Sequence, residues 1–241
     1  MSEVFRLLAI GDVHYDPRGR DTEQRKPTRG AKLLHSAISA GRDRFAPHAV
    51  ALMGDLVEDG NDPQTAEDLR LLANSARSAA GEVPLLVVPG NHDVDAERLL
   101  SAFGASAGAF EIAGCRLFVF VDEWWPDDTG HRLERQQRRF MEWASAGGGP
   151  LVALQHNPIH PPVENDYPYA LSEHEQVSAE YSAVGATLSL SAHYHAGLPL
   201  TLLRRVGYFT CPALHKPPHP YAMITVCDTS AGIALHRLDE D

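Results

Sequence analysis

Five short apolar runs in this chain end alike, in polar residues able to hold a metal ion, and that repetition limits what the chain can fold into. Residues 7–10 lead into Gly11-Asp12-Val13-His14, and residues 50–53 into Gly54-Asp55-Leu56. Residues 85–88 lead into Pro89-Gly90-Asn91-His92-Asp93, and residues 151–154 into Gln155-His156-Asn157-Pro158. Residues 187–191 lead into Ala192-His193-Tyr194-His195. Short apolar runs bounded by Gly, Pro or Asp read as strands. In an open α/β sheet, ligands bind beyond the carboxyl ends of the strands, so these five ends should gather along one rim. Glycine before the polar residue suits a sharp turn or a close backbone approach.

The rest of the chain supports an α/β sheet with helices packed on it. Strand candidates are residues 4–10, 49–53, 85–88, 109–112, 116–121, 151–154, 187–191, 200–203, 208–210, 221–226 and 232–238. Helix candidates lie between them at 28–44, 63–80, 95–102, 132–146 and 172–184, with Thr28 placed to cap the first. Leu69, Leu72, Ala73 and Ala76 repeat on one helical face. Strand and helix alternate in the first half, as in α/β proteins. The last forty or so residues are strand-rich and predict a meander or second sheet. The Gly- and Pro-rich breaks at 146–150 and 215–220 read as loops, so residues 1–241 are expected to form one domain.

The residue types at the five ends suit divalent or transition-metal ions. Carboxylate and amide oxygens with imidazole nitrogens fit Mn²⁺, Fe, Zn²⁺ or similar metals. Asp12 and His14, two apart, can point to one side of an extended segment, as can His193 and His195. None of the three cysteines lies in these blocks, which argues against a structural zinc site. Their odd number and apolar settings argue against a disulfide framework and favour a reducing cytoplasm. The net charge of −11 excludes the electrostatic footprint of a duplex-binding or membrane-surface protein. No apolar run reaches membrane-spanning length, and the N-terminus lacks the pattern of a signal peptide.

In order and type, the five blocks resemble those of the calcineurin-like metallophosphoesterases: D-x-H, G-D, G-N-H-D or G-N-H-E, a His, then G-H-x-H. The resemblance runs from Gly11 to His195, with Ala192 standing where the family usually has Gly. It implies a four-layer sandwich, two mixed β-sheets between helical layers. It also implies a first metal held by Asp12, His14, Asp55 and His195. Asp55 would bridge to a second held by Asn91, His156 and His193. His92 would face the phosphate and help the leaving oxygen or the developing charge, with Asp93 orienting it. Two ions of charge +2 against two ligating carboxylates leave such a site net positive, so it attracts phosphate. Metal-bound hydroxide, available near neutral pH, would attack phosphorus in line with the departing oxygen.

The substrate is less defined. A small phosphodiester, nucleotide-derived ones included, fits the short acidic chain best. A phosphomonoesterase, protein phosphatase or nucleotide pyrophosphatase would use the same core, and a non-catalytic scaffold is the rival from another class. Arg18, Arg20, Arg25 and Arg29 follow the first block and are candidates for binding a second charged group on the substrate. Trp124 and Trp125 can stack on a base or pack against a loop. The tyrosines of the run 164–169 can border the cleft, while His160, His215 and His219, in Pro-rich loops, can line the pocket but read more simply as exposed. Oligomeric state is left open.

Overall fold

The structure is a computed structural model that describes residues 4–163 and 165–238. One sheet holds β1 (Phe5–Ile10), β2 (Ala49–Leu52), β3 (Leu85–Val87), β12 (Pro220–Cys227) and β13 (Ser230–Arg237), in the order β13-β12-β1-β2-β3. The other holds β4 (Gly108–Ile112), β5 (Cys115–Val119), β8 (Leu151–Leu154), β9 (Leu188–Ser191), β10 (Leu198–Leu203) and β11 (Val206–Thr210), in the order β10-β11-β9-β8-β5-β4. Both sheets are mixed. β1, β2 and β3 run parallel, as do β5, β8, β9 and β11, and antiparallel strands form every edge except that of β3. A short pair outside the expected strands, β6 (Glu123–Trp124) and β7 (Gly130–His131), completes the set.

Strand periodicity explains the layering. Leu8, Ile10, Val50 and Leu52 face outward, toward α1 (Gly30–Phe45), α2 (Thr65–Ala80) and α3 (Ala96–Phe103). Their neighbours Leu7, Ala9, Ala51 and Met53 face inward and meet Leu117, Val119, Val152, Leu154, Leu188 and Leu190 of the second sheet. Phe118, Phe120, Leu151 and Ala153 turn to the far side, under α4 (Glu134–Ser145) and α5 (His174–Ala183). Alternating side chains thus serve two cores on each sheet, which gives the helix–sheet–sheet–helix sandwich. Leu7 and Leu190 are fully buried, and truncating either to Ala would cost about 2–5 kcal/mol.

Helix ends follow local chemistry. Asp95 caps α3 by accepting from the backbone N–H of Arg98 at 3.0 Å, and Gly104 ends it in the left-handed conformation. Thr28 does not cap α1 as expected. It lies in a 3₁₀ turn, Pro27–Arg29, that runs into the helix, and its hydroxyl donates to Asp21 at 2.9 Å. The sheet arrangement aims the carboxyl ends of β1, β2, β3, β8 and β9, and the blocks that follow them, toward one rim.

Candidate metal centre

The two sheets are stitched together where these blocks meet. The backbone N–H of His193 donates to Asp12 Oδ1 at 3.1 Å, and His156 Nδ1 donates to the Met53 carbonyl at 2.7 Å. Such contact demands glycine. A Cβ on Gly54, which has φ +93°, would sit 2.4 Å from His156 Nδ1, and one on Gly90 would sit 2.3 Å from Asp55 Oδ1. Asp12, His14, Asp55 and His193 all take positive φ, between 39° and 67°. Non-glycine residues are rarely found there, and strain of this kind clusters at functional sites. Ala192 is outside the positive-φ set, so its Cβ creates no conflict; the left-handed residue is the next one, His193.

Ligand atoms of Asp12, His14, Asp55 and His195 lie within 4.8 Å of one another, and those of Asp55, His156 and His193 do likewise. Asp55 belongs to both groups. Its Oδ2 stands 3.5 Å from His14 Nε2 and 3.3 Å from His156 Nε2, while its Oδ1 accepts from the His92 backbone N–H at 3.0 Å. Asn91, beyond β3, turns a buried Oδ1 to no protein donor.

The electrostatics suit cations. Burial holds the Asp12 carboxyl well above its ordinary range, and burial together with the Asp55 charge lifts Asp93 to about 7. Burial also opposes the Asp55 charge, but His156 and His14 outweigh it and hold this carboxyl well below the usual range. Burial presses His193 to about 3 and His195 to about 2, so both rings are neutral with lone pairs to give. Asp12 Oδ2, Asn91 Oδ1, His156 Nε2 and His193 Nε2 are all buried without a hydrogen-bond partner. Orphaned donor atoms converging on one place, from oxygen- and nitrogen-bearing side chains, fit a pair of metal ions.

A sequence profile of the calcineurin-like phosphoesterases matches residues 5–197. The chain belongs to that family. As a family member it is a hydrolase of phosphate esters with a metal centre. It is 23% identical to the zebrafish (Danio rerio) serine/threonine-protein phosphatase CPPED1, over 98% of this chain and 82% of that protein. Its fold is similar to a dimetal phosphatase from Danio rerio, with a TM-score of 0.75 at 18% identity, covering 95% of this chain and 98% of the other. A putative 5'-nucleotidase from Staphylococcus aureus superposes with a TM-score of 0.67 at 11% identity, over 99% of this chain and 55% of its own.

Around the ligands the structure departs from several expectations. The Asp93 carboxylate makes no hydrogen bond to the His92 ring among the described residues. That carboxylate accepts the backbone N–H groups of Leu56 at 2.7 Å, Val57 at 3.2 Å and Gly90 at 2.9 Å, tying the second and third blocks together. His92 is held by Glu58 instead, its Nδ1 donating to the Glu58 carbonyl at 2.7 Å. The Glu58 carboxylate lies 3.0 Å from His14 Nδ1. Sequence reading passed over Glu58, although a carboxylate three residues after Asp55 was its signal.

The arginines are mostly engaged at home. Arg18 forks onto Asp68, Arg25 Nη2 donates to both Glu58 oxygens at 2.7 and 3.1 Å, and Arg29 pairs with Asp21 at 3.3 Å. Arg20 is exposed, with no ion pair among the described residues. His215 and His219 are buried, not exposed. His215 donates from Nδ1 to the Asp12 carbonyl at 2.9 Å and packs edge-on against His14 and His195. Trp125 is half exposed and stacks on His131, whereas Trp124 points toward His156.

Proposed function

We propose that this chain hydrolyses small phosphomonoesters at a dinuclear metal centre. The place of Asp55 in both ligand groups, its Oδ2 3.5 Å from His14 Nε2 and 3.3 Å from His156 Nε2, carries the reading, because a carboxylate so shared would serve two cations. Asp12, His14, Asp55 and His195 would hold one ion, and Asp55, Asn91, His156 and His193 the other. Mixed oxygen and nitrogen donors without thiolate favour Mn²⁺, Fe or Zn²⁺. When bound, the ions supply charge neutralisation for the phosphoryl oxygens and activation of a water near neutral pH.

The chain's own groups complete the chemistry. The Glu58 carbonyl can only accept, so Nδ1 of His92 carries a proton and the ring's orientation is set. Nε2 is the free edge, and in the imidazolium form it donates to the departing ester oxygen. A monoester is preferred to the diester favoured by sequence reading because Arg18, Arg25 and Arg29 are paired with Asp68, Glu58 and Asp21, which weakens their case as receptors for a second charged group. Two relatives described as phosphatases, CPPED1 and the dimetal enzyme, support the same choice. The three free cysteines, two of them buried, support a cytoplasmic setting.

The test is hydrolysis by protein stripped of metal and reloaded with Mn²⁺, with nitrophenyl phosphate and bis-nitrophenyl phosphate compared. Higher kcat/KM for the monoester is expected. A clear preference for the diester would return the reading to a phosphodiesterase, and no hydrolysis of either would defeat it.

A further inference from the structure

Four aromatic rings line the half of the metal centre built by the second sheet. Tyr167 and Tyr169 lie with ring centroids 5.6 and 5.4 Å from His193, and 4.7 Å from each other. Tyr194 meets Tyr169 edge-on at 5.0 Å, and Trp124 stands edge-on to His156 at 6.1 Å. All four are half-buried, and none belongs to the three hydrophobic cores.

The group is built, not incidental. Asn157, fully buried and next in sequence to His156, accepts from Trp124 Nε1 at 3.1 Å and donates from Nδ2 to the Tyr169 carbonyl at 3.1 Å. Gly130 in β7 lets Asn157 come close, since a Cβ there would sit 2.6 Å from its side chain. One buried amide thus anchors both Trp124 and the tyrosine loop to the strand end that carries His156, so the rings need no ordering when a ligand arrives.

Resting on the phosphomonoesterase reading above, we propose that these rings form a subsite for aryl phosphates, esters whose aromatic ring is joined directly to the bridging oxygen. Aromatic faces recognise flat, weakly polar groups by offset or edge-on contact. The tyrosines touch His193 itself, so the favoured ring lies one or two bonds from the ester oxygen. A nucleobase, separated from phosphorus by a ribose, would overreach this wall. The aryl group has two sources, a phosphotyrosine side chain or a small phenolic ester.

The experiment compares competitive inhibition by phenylphosphonate and methylphosphonate, which share a head group and have no leaving group. With Mn²⁺-loaded wild-type protein, phenylphosphonate should bind roughly tenfold more tightly. Tyr167→Leu and Tyr169→Leu should erase most of that ratio, while Tyr167→Phe and Tyr169→Phe keep it. Equal binding of the two phosphonates by wild type, or a ratio untouched by the Leu variants, overturns the subsite while leaving the metal centre standing. Failure of both phosphonates to bind, with no ester hydrolysed, overturns the phosphoesterase reading and the subsite with it. Steady-state comparison of O-phosphotyrosine, phenyl phosphate and 5'-AMP then separates the sources. Preference for either aryl ester supports the subsite and says which source fits, and preference for 5'-AMP counts against it.

Discussion

Nδ1 of His14 stands 3.0 Å from a carboxylate oxygen of Glu58, on the edge of the ring turned away from Asp55. Arg25 holds the same carboxylate, its Nη2 2.7 Å from that same oxygen. Burial would raise the Glu58 carboxyl, but His14 and Arg25 outweigh it and bring it to about 2, so the group is an anion under ordinary conditions. An anion beside the back edge of a metal-binding imidazole raises the basicity of the nitrogen that faces the cation.

Glu58→Gln should therefore weaken binding at the first metal site by about 10–100-fold. Calorimetric titration of metal-free protein with Mn²⁺ resolves this. The affinity of the site containing His156 and His193 should change less. Equal weakening of both, or of neither, would remove Glu58 from the account of the first site.

Removal of the His92 ring should lower turnover by roughly 10²–10⁴ if it protonates the departing oxygen. His92→Ala should keep its metal content, because no metal ligand is lost. The deficit should be smaller for nitrophenolate, which leaves without a proton, than for an alkoxide. Equal deficits for the two leaving groups would contradict the acid role.

The thiols make a prediction about pH. Burial lifts the fully buried Cys115 thiol to about 12, and Cys211 is raised by the same cause. An unfolded thiol ionises near 8.5. The folded state thus keeps a proton that the unfolded state loses, and stability falls as pH rises from about 9 toward 12, by up to about 1.4 kcal/mol per unit for one thiol. Urea unfolding across this range should show a shallower decline for Cys115→Ala than for wild type, whatever its stability at neutral pH. In the native state a thiol reagent should label Cys227 well before the two buried thiols.

The candidate ligand residues stood out in the sequence because each follows an apolar run at a parallel strand end, where topology does the gathering. What could not be read are partnerships between segments distant in sequence. Arg18 finds Asp68 fifty residues away and Arg25 finds Glu58 thirty-three away, so a basic cluster that looked free is largely engaged. His215 sits in a Pro-rich stretch that resembles a surface loop, yet the loop folds back beneath His14 and His195 and buries it. β6 and β7, two residues each, are too short to carry any periodicity. The wall of Tyr167, Tyr169 and Trp124 depends on a side-chain amide, Asn157, whose partners no local pattern announces.

Anomalous diffraction from crystals of the Mn²⁺-loaded protein tests the central claim most directly. Two peaks about 3.5–4 Å apart are predicted, each within ligand distance of the Asp55 carboxylate. A single peak at full loading, or two peaks of which Asp55 touches only one, would contradict it.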